Sequence, residues 1–395
     1  MNEKLSITEA QKLVLLSQSV FPAKTKGTSL DKTLESIEHL GYVQIDTISA
    51  VQRAHHHTLW NRNPHYKLSH IDELAEKKKI FEYWAHAAAY LPIKDYRFSL
   101  LRKQAIYKGD EKHWYEKDKK LMNVVLKRIE NEGALMAKDF VHDGKVAEWG
   151  SKPAKRSLEN LFMQGELMIS SRKNFHKVYD LTERVLPKSI DTSIPTQKEY
   201  IRFLITNYLK ANGIGQDSEI AYLLKNTKKL VTAELKEMQS NKELIQVSVN
   251  GQFYYALPEA IPLLDKRLSR TQLKIFSPFD NLLIQRKRIQ SLFNFDYQIE
   301  CYVPEAKRKY GYFALPVLWN GKFVARMDCK ADRKTATLHI LHLALEDGFK
   351  INDAFNKALV KELMSFMAFN NCTTIQLHKT TPSRFKEVFP KTFLE

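Results

Sequence analysis

Cysteine is scarce in this sequence: three residues among 395, namely Cys301, Cys329 and Cys372, odd in number and far apart. No Cys-X-X-Cys pair or Cys/His set at zinc spacing occurs, which excludes a disulfide scaffold and a zinc finger. The thiols are expected to be buried, in a reducing compartment. Glycine and proline are sparse too, at 13 each, while 44% of residues are hydrophobic. That balance excludes collagen-like, low-complexity and disordered chains and supplies enough apolar surface for sizeable cores. No apolar run approaches the ~20 residues that cross a bilayer. The opening Met1-Asn2-Glu3-Lys4-Leu5-Ser6 is polar and carries acid, unlike a secretory signal. The expectation is a soluble protein of the cytoplasm with no membrane partner. Acid is the other shortfall: 45 Asp and Glu stand against 62 Lys and Arg, a net charge of +17. Such an excess calls for a polyanion. Nucleic acid leads, because clustered cations release the counterions condensed on phosphates, and a lipid or acidic protein surface is the alternative.

The common catalytic signatures are missing as well. There is no GxxxxGK[ST], GxGxxG or HExxH, and no GxSxG or kinase set. Nucleotide hydrolysis, hydride transfer and zinc proteolysis lose their main support.

What is present is a pattern that comes three times. Amphipathic helices are followed by a polar-faced helix, a turn and short strands. The first copy runs from Ile7 to about Trp60, with helices at Thr8–Val20 and Ser29–Leu40, a stop at Gly41, and a strand over Tyr42–Asp46. The second has helices over Leu121–Glu132, Ala134–Phe140 and Lys155–Gln164, then a hairpin around Arg172–Phe175. The third has helices at Thr196–Lys210, from Asp217, and at Leu230–Ser240, then a hairpin turning on Asn250-Gly251, the pair favoured where both turn residues need positive φ. Three helices and a hairpin is the winged-helix plan. The last third reads as strand-rich over Arg286–Glu300, Phe313–Trp319, Lys322–Lys330 and Thr335–Ala344, then helical over Ile351–Phe369. The expected class is α+β: tandem winged helices in series with a shared face, then a β-rich C-terminal domain. The boundaries fall at 1–117, 118–190, 191–270 and 271–395.

Candidate chemistry starts at Val43-Gln44-Ile45-Asp46. Period-two alternation sends Val43 and Ile45 to one face and Gln44 and Asp46 to the other. An amide and a carboxylate one pleat apart can hold one water or stabilise a cation; the alternative is a solvated strand face. Arg53-Ala54-His55-His56-His57 leads into Trp60-Asn61-Arg62. Consecutive histidines cannot all face one metal ion, so no metal is assigned. The run reads as a polar surface near phosphates, or as a buried, hydrogen-bonded histidine. Lys152, Lys155 and Arg156 crowd a helix start, where cations oppose the dipole unless a phosphate binds; a solvated basic turn is the alternative. Arg172 reads as a basic hairpin tip. Arg286-Lys287-Arg288 and Lys307-Arg308-Lys309 read as solvated clusters, and Ser277-Pro278-Phe279-Asp280 as a capped turn without function.

The runs Gly41–Ile48, Arg53–Trp60 and Ser277–Leu282, with Tyr302-Val303-Pro304, Lys307-Arg308, Tyr310-Gly311-Tyr312 and Leu315–Leu318, resemble the AlkZ/YcaQ-like bacterial DNA glycosylases over nearly the whole chain. The resemblance implies excision of alkylated purines from double-stranded DNA, including unhooking of interstrand crosslinks. It also implies that the tandem winged helices surround a concave basic cleft, and that a hairpin probes the DNA. Gln44-Ile45-Asp46 matches that family's Gln-hydrophobic-Asp branch, which makes Gln44 and Asp46 the expected catalytic pair. Arg53, His55, His56, His57, Arg62, Lys152, Lys155, Arg156 and Arg172 are the expected DNA contacts. The expectation is a monofunctional, monomeric, nucleoid-associated glycosylase without cofactor. Because crosslinked nucleotides are tethered, it would flip its target little or not at all. The rival reading is a non-catalytic winged-helix DNA-binding protein or transcription regulator, for which a carboxylate facing phosphates would be a liability.

Overall fold

The computed structural model describes residues 3–21, 26–140 and 152–389. They form two compact units, both discontinuous in sequence. The first comprises Met1–Ser29, Val43–Tyr66 and Leu204–Glu395; the second comprises Leu30–Tyr42 and Lys67–Phe203.

Two stretches share one topology. In the second unit the order is helix Lys119–Glu132, strand Leu135–Met136, helix Pro153–Met163, and strands Leu167–Lys173 and His176–Leu181. The last strand lies between the other two. The same plan recurs with helix Gln197–Asn212, strand Ile214–Gly215, helices Asp217–Ile220 and Lys228–Ser240, and strands Ile245–Val249 and Gln252–Ala256. Asn250 and Gly251 turn this hairpin at φ +49° and +77°, the left-handed values that their residue types tolerate. Strand Glu3–Leu5 adds in parallel to Ile245–Val249.

The first copy differs from its expected limits. The same order of elements begins at Ser29, with helix Ser29–Leu40, strand Val43–Gln44, helices Ala54–Arg62 and Ser69–Glu76, and hairpin strands Ile80–Trp84 and Ala88–Pro92. Helix Ile7–Ser17 belongs elsewhere. It is started by a capping box, in which Ser6 Oγ accepts from Glu9 N–H and the Glu9 carboxylate from Ser6 N–H. Its Ala10, Leu13 and Val14 share a core with Ile214, Val247, Phe276 and Leu283 in the first unit.

Two expected elements are corrected. Ala134–Phe140 is not a helix but strand Leu135–Met136 and one 3-10 turn, Ala137–Asp139. Gly133, at φ +88°, ends the preceding helix, and Asp139 accepts Met136 N–H at 2.7 Å to hold the turn. Residues 141–151 of that copy lie outside the described residues. Arg286–Glu300 contains no strand; Arg286–Phe293 is a helix that buries Ile289, Leu292 and Phe293, an i, i+3, i+4 face. The Arg288 guanidinium is buried with it and pairs with Glu219 at 2.6 Å.

The C-terminal sheet has five strands in chain order: Leu273–Ile275, Ala314–Trp319, Lys322–Asp332, Thr337–Leu345 and Thr374–Thr381. The first four pair antiparallel. The fifth is parallel to its neighbour, after the crossover helix Asp353–Phe369. The second unit has its own core, in which Phe81, Tyr96, Ile106, Val125, Ile129, Leu158 and Phe162 meet. No helix among the described residues is long and apolar enough to cross a membrane.

Candidate active site

The Gln44–Asp46 segment keeps the alternation read from its sequence. Val43 is fully buried and Ile45 nearly so, whereas Gln44 and Asp46 are half-buried. Regular pairing stops at Gln44. Asp46 turns the chain by accepting the N–H of Ile48 at 2.7 Å, the local bond that short acidic side chains offer a backbone leaving a strand. Burial pushes its carboxyl above the usual carboxylate range, against the opposing effect of backbone donors Ile48 and Thr47. Asp46 is therefore more basic than an exposed aspartate, the direction required of a group that accepts a proton from water. Its charge also reaches Cys301 and Tyr302, and raises both of their pKa values in addition to the larger effect of burial.

The segment after Asp46 is fastened to the C-terminal sheet. The carbonyl of Ala50 accepts from Ala331 N–H at 2.7 Å, and that of Val51 from Arg333 at 3.2 Å. Gln52 N–H donates to the side chain of the buried Asn370 at 2.8 Å. Helix Ala54–Arg62 follows, and eight of its nine residues are buried. Polar side chains there must find internal partners. His57 and Asn61, one turn apart, both bond the carbonyl of Ile275, at 2.9 and 2.8 Å. Burial pushes the His57 ring down to about 4, so the neutral ring offers its Nε2–H to that carbonyl. Burial, aided by the Arg53 charge, pushes His56 down to about 4 as well. His56 is half-buried, with Nδ1 2.7 Å from the Tyr66 hydroxyl.

Arg62 lies wholly inside. All five of its N–H groups are engaged: two by Asp280, at 2.8 and 2.9 Å, and three by the carbonyls of Gln18 and Thr58 and the side-chain oxygen of Gln18. Arg62, His55 and His57 are thus buried rather than exposed as the expected DNA contacts, and Arg62 and His57 serve as internal struts. Ser277–Asp280 is corrected too: it is no bare turn, because Asp280 holds this arginine.

In the second unit Arg172 folds back from its hairpin onto Glu82, with two bonds of 2.6 and 2.8 Å, instead of standing free at the tip. It lines a cavity of about 380 Å³ with Asp72, Glu76 and Glu82. Its charged lining is three carboxylates against Arg172 and Lys78, an excess of acid that does not favour a phosphate. Lys152, Lys155 and Arg156 are exposed where expected, at the first turn of helix Pro153–Met163.

The loop between Glu300 and Phe313 is a feature that charge and periodicity reading missed. The Glu300 carboxylate accepts the N–H groups of Lys309, Tyr310 and Gly311 at 2.8–3.0 Å. Asp328 accepts those of Tyr312 and Phe313 at 3.1 and 2.8 Å. Gly311, at φ +134°, leaves no room for a Cβ, which would lie 2.0 Å from the Asp328 carboxylate. The one signal in the sequence was this glycine between two tyrosines. No group of three or more potential metal ligands exists among the described residues.

A family profile described as DNA glycosylase AlkZ-like matches residues 37–369, a span that includes Gln44, Asp46 and the Glu300–Phe313 loop. Among solved structures, the fold is similar to that of the Streptomyces sahachiroi DNA glycosylase AlkZ, with a TM-score of 0.65 and 15% identity, covering 95% of this chain and 100% of that one. The profile spans most of the sequence, and on that ground the chain belongs to the AlkZ-like family of DNA glycosylases.

Proposed function

We propose that this DNA glycosylase hydrolyses the N-glycosidic bond of N7-alkylated purines in duplex DNA, including bonds that tie an interstrand crosslink. The observation that carries the reading is the pair Gln44 and Asp46, both half-buried where Val43 and Ile45 are buried, with a carboxyl made more basic by burial. An N7-alkylguanine already bears positive charge. Breaking its C1′–N9 bond returns the electron pair to the purine, neutralises it and leaves an oxocarbenium-like sugar. Asp46 stabilises that cation and takes a proton from the water that attacks C1′. Gln44, able both to donate and to accept, holds the water in line. No lysine forms a Schiff base in this scheme, so the product is an abasic site.

The repeated order of helices and hairpin strands supports a tandem winged-helix reading. Lys152, Lys155 and Arg156 are the proposed phosphate contacts, with Arg53 and His56 as further candidates. The test is release of N7-methylguanine, or of a nitrogen-mustard crosslink, from duplex DNA by wild type and Asp46→Asn. The wild type should release the base, and the variant should bind DNA without releasing it. Failure of the wild type would sink the enzyme reading in favour of a DNA-binding protein alone.

A further inference from the structure

We propose that Tyr302 and Tyr312 form a stacking platform for a nucleobase of the bound duplex, beside the carboxylate of Asp46. This rests on Asp46 as the catalytic carboxylate. Tyr302 is 79% exposed, the most exposed large apolar side chain among the described residues, and Tyr312 is 41% exposed. Exposed aromatics on a mobile loop would need no partner, but this loop is fixed by the five backbone bonds to Glu300 and Asp328. Arg308 closes it further, with Nε 2.9 Å from the carbonyl of Val303 and its guanidinium 5.1 Å from the Tyr312 ring centre. Two aromatic faces are thus held out to solvent on a rigid frame, an arrangement that makes stacking cheap because little entropy is left to lose.

The strand Lys322–Asp332 anchors both the loop and the chain that follows Asp46. Its Asp328 pins the loop, and its Ala331 pins Ala50, four residues after Asp46. Three residues along a strand span roughly 10 Å. The reach of the Asp46 charge to Tyr302 agrees. The chemistry of the loop selects the occupant. Lys307, Arg308 and Lys309 outnumber Glu305 in the loop, and the carboxylates of Glu300 and Asp328 are turned onto its backbone N–H groups. An apolar protein surface would be poorly matched to that setting. Aromatic faces on a basic loop match bases joined by phosphates.

The test uses the full chain in an Asp46→Asn background, so that no excision occurs during binding, and a duplex carrying one N7-methylguanine. Tyr302→Ala should weaken binding about tenfold, and Tyr302→Phe should bind like its parent, since a ring without a hydroxyl still stacks. Unchanged affinity in Tyr302→Ala would overturn the platform. An equal loss in Tyr302→Phe would also overturn it, because the hydroxyl and not the ring would then be the contact. If wild type releases no base while Tyr302→Ala still loses affinity, the catalytic reading falls and the stacking surface stands.

Discussion

Arg62 and Asp280 form a two-pronged ion pair with both side chains at 0% exposure, although 218 residues separate them in sequence. The pair ties the helix after the Gln44–Asp46 segment to the turn that follows the first strand of the C-terminal sheet. Asp280 also holds the N–H of Leu282 at 3.0 Å. Removing either partner leaves a charge buried without compensation, which typically costs about 3–5 kcal/mol. Asp280→Leu and Arg62→Met should each lower the midpoint of urea unfolding accordingly, and Arg62→Met/Asp280→Leu should lose less than the two combined. Additive losses would mean that the two residues are not acting as a pair.

Asp46 predicts a pH dependence with a definite sign. Its pKa is raised in the fold by burial, so the base form is lost as pH falls at a higher pH than for an exposed aspartate. The single-turnover rate of excision should drop on that acidic limb and be flat above it. Stability should run the other way. The folded state holds the Asp46 proton more tightly than the unfolded chain, so raising the pH through this window weakens the fold. Asp46→Asn should therefore raise the melting temperature at neutral pH while abolishing excision, and a lower melting temperature would contradict the assigned burial cost.

How much of this was legible in the sequence depended on how local each cause is. The turn at Asn250-Gly251 was legible because positive φ is a property of those residue types, and both adopt it. The Gln44/Asp46 pleat was legible because alternation needs only neighbours. Its strand proved shorter than read, since Asp46 spends an oxygen on Ile48. Arg62 was misread because its partner is remote, and a basic residue with an unseen acid looks like a phosphate contact. Arg286–Phe293 was misread for a related reason: three basic residues in a row hid the helical spacing of Ile289, Leu292 and Phe293. Tyr302 carried no periodic signal, and its role depends on Glu300 and Asp328 fixing the loop around it.

Lys103 predicts a second pH effect, in the other unit. It is buried, with its ammonium 3.9 Å from the ring centre of Tyr96 and 4.7 Å from that of Tyr83. Burial pushes its pKa down to about 7 from 10.5. Between those values the unfolded chain binds a proton that the fold does not, so stability rises with pH across that window. Melting temperature should increase from pH about 7 to about 9 in the wild type, and Lys103→Met should remove most of that increase. Parallel pH profiles in the two proteins would rule out a titrating lysine in the aromatic box.

Salt dependence separates the basic residues that face solvent from those that only looked as if they should. Each phosphate contact contributes about one unit to the slope of log K against log salt. Lys155 is exposed at a helix start, so Lys155→Ala should make the slope shallower by about one. Arg172 is held by Glu82 through two short bonds, and leaving that pair for a phosphate would strand a carboxylate that is only 8% exposed. Arg172→Ala should therefore lower stability and leave the slope as it was. A shallower slope in Arg172→Ala would mean that duplex DNA draws the arginine away from Glu82, and would restore it to the binding surface.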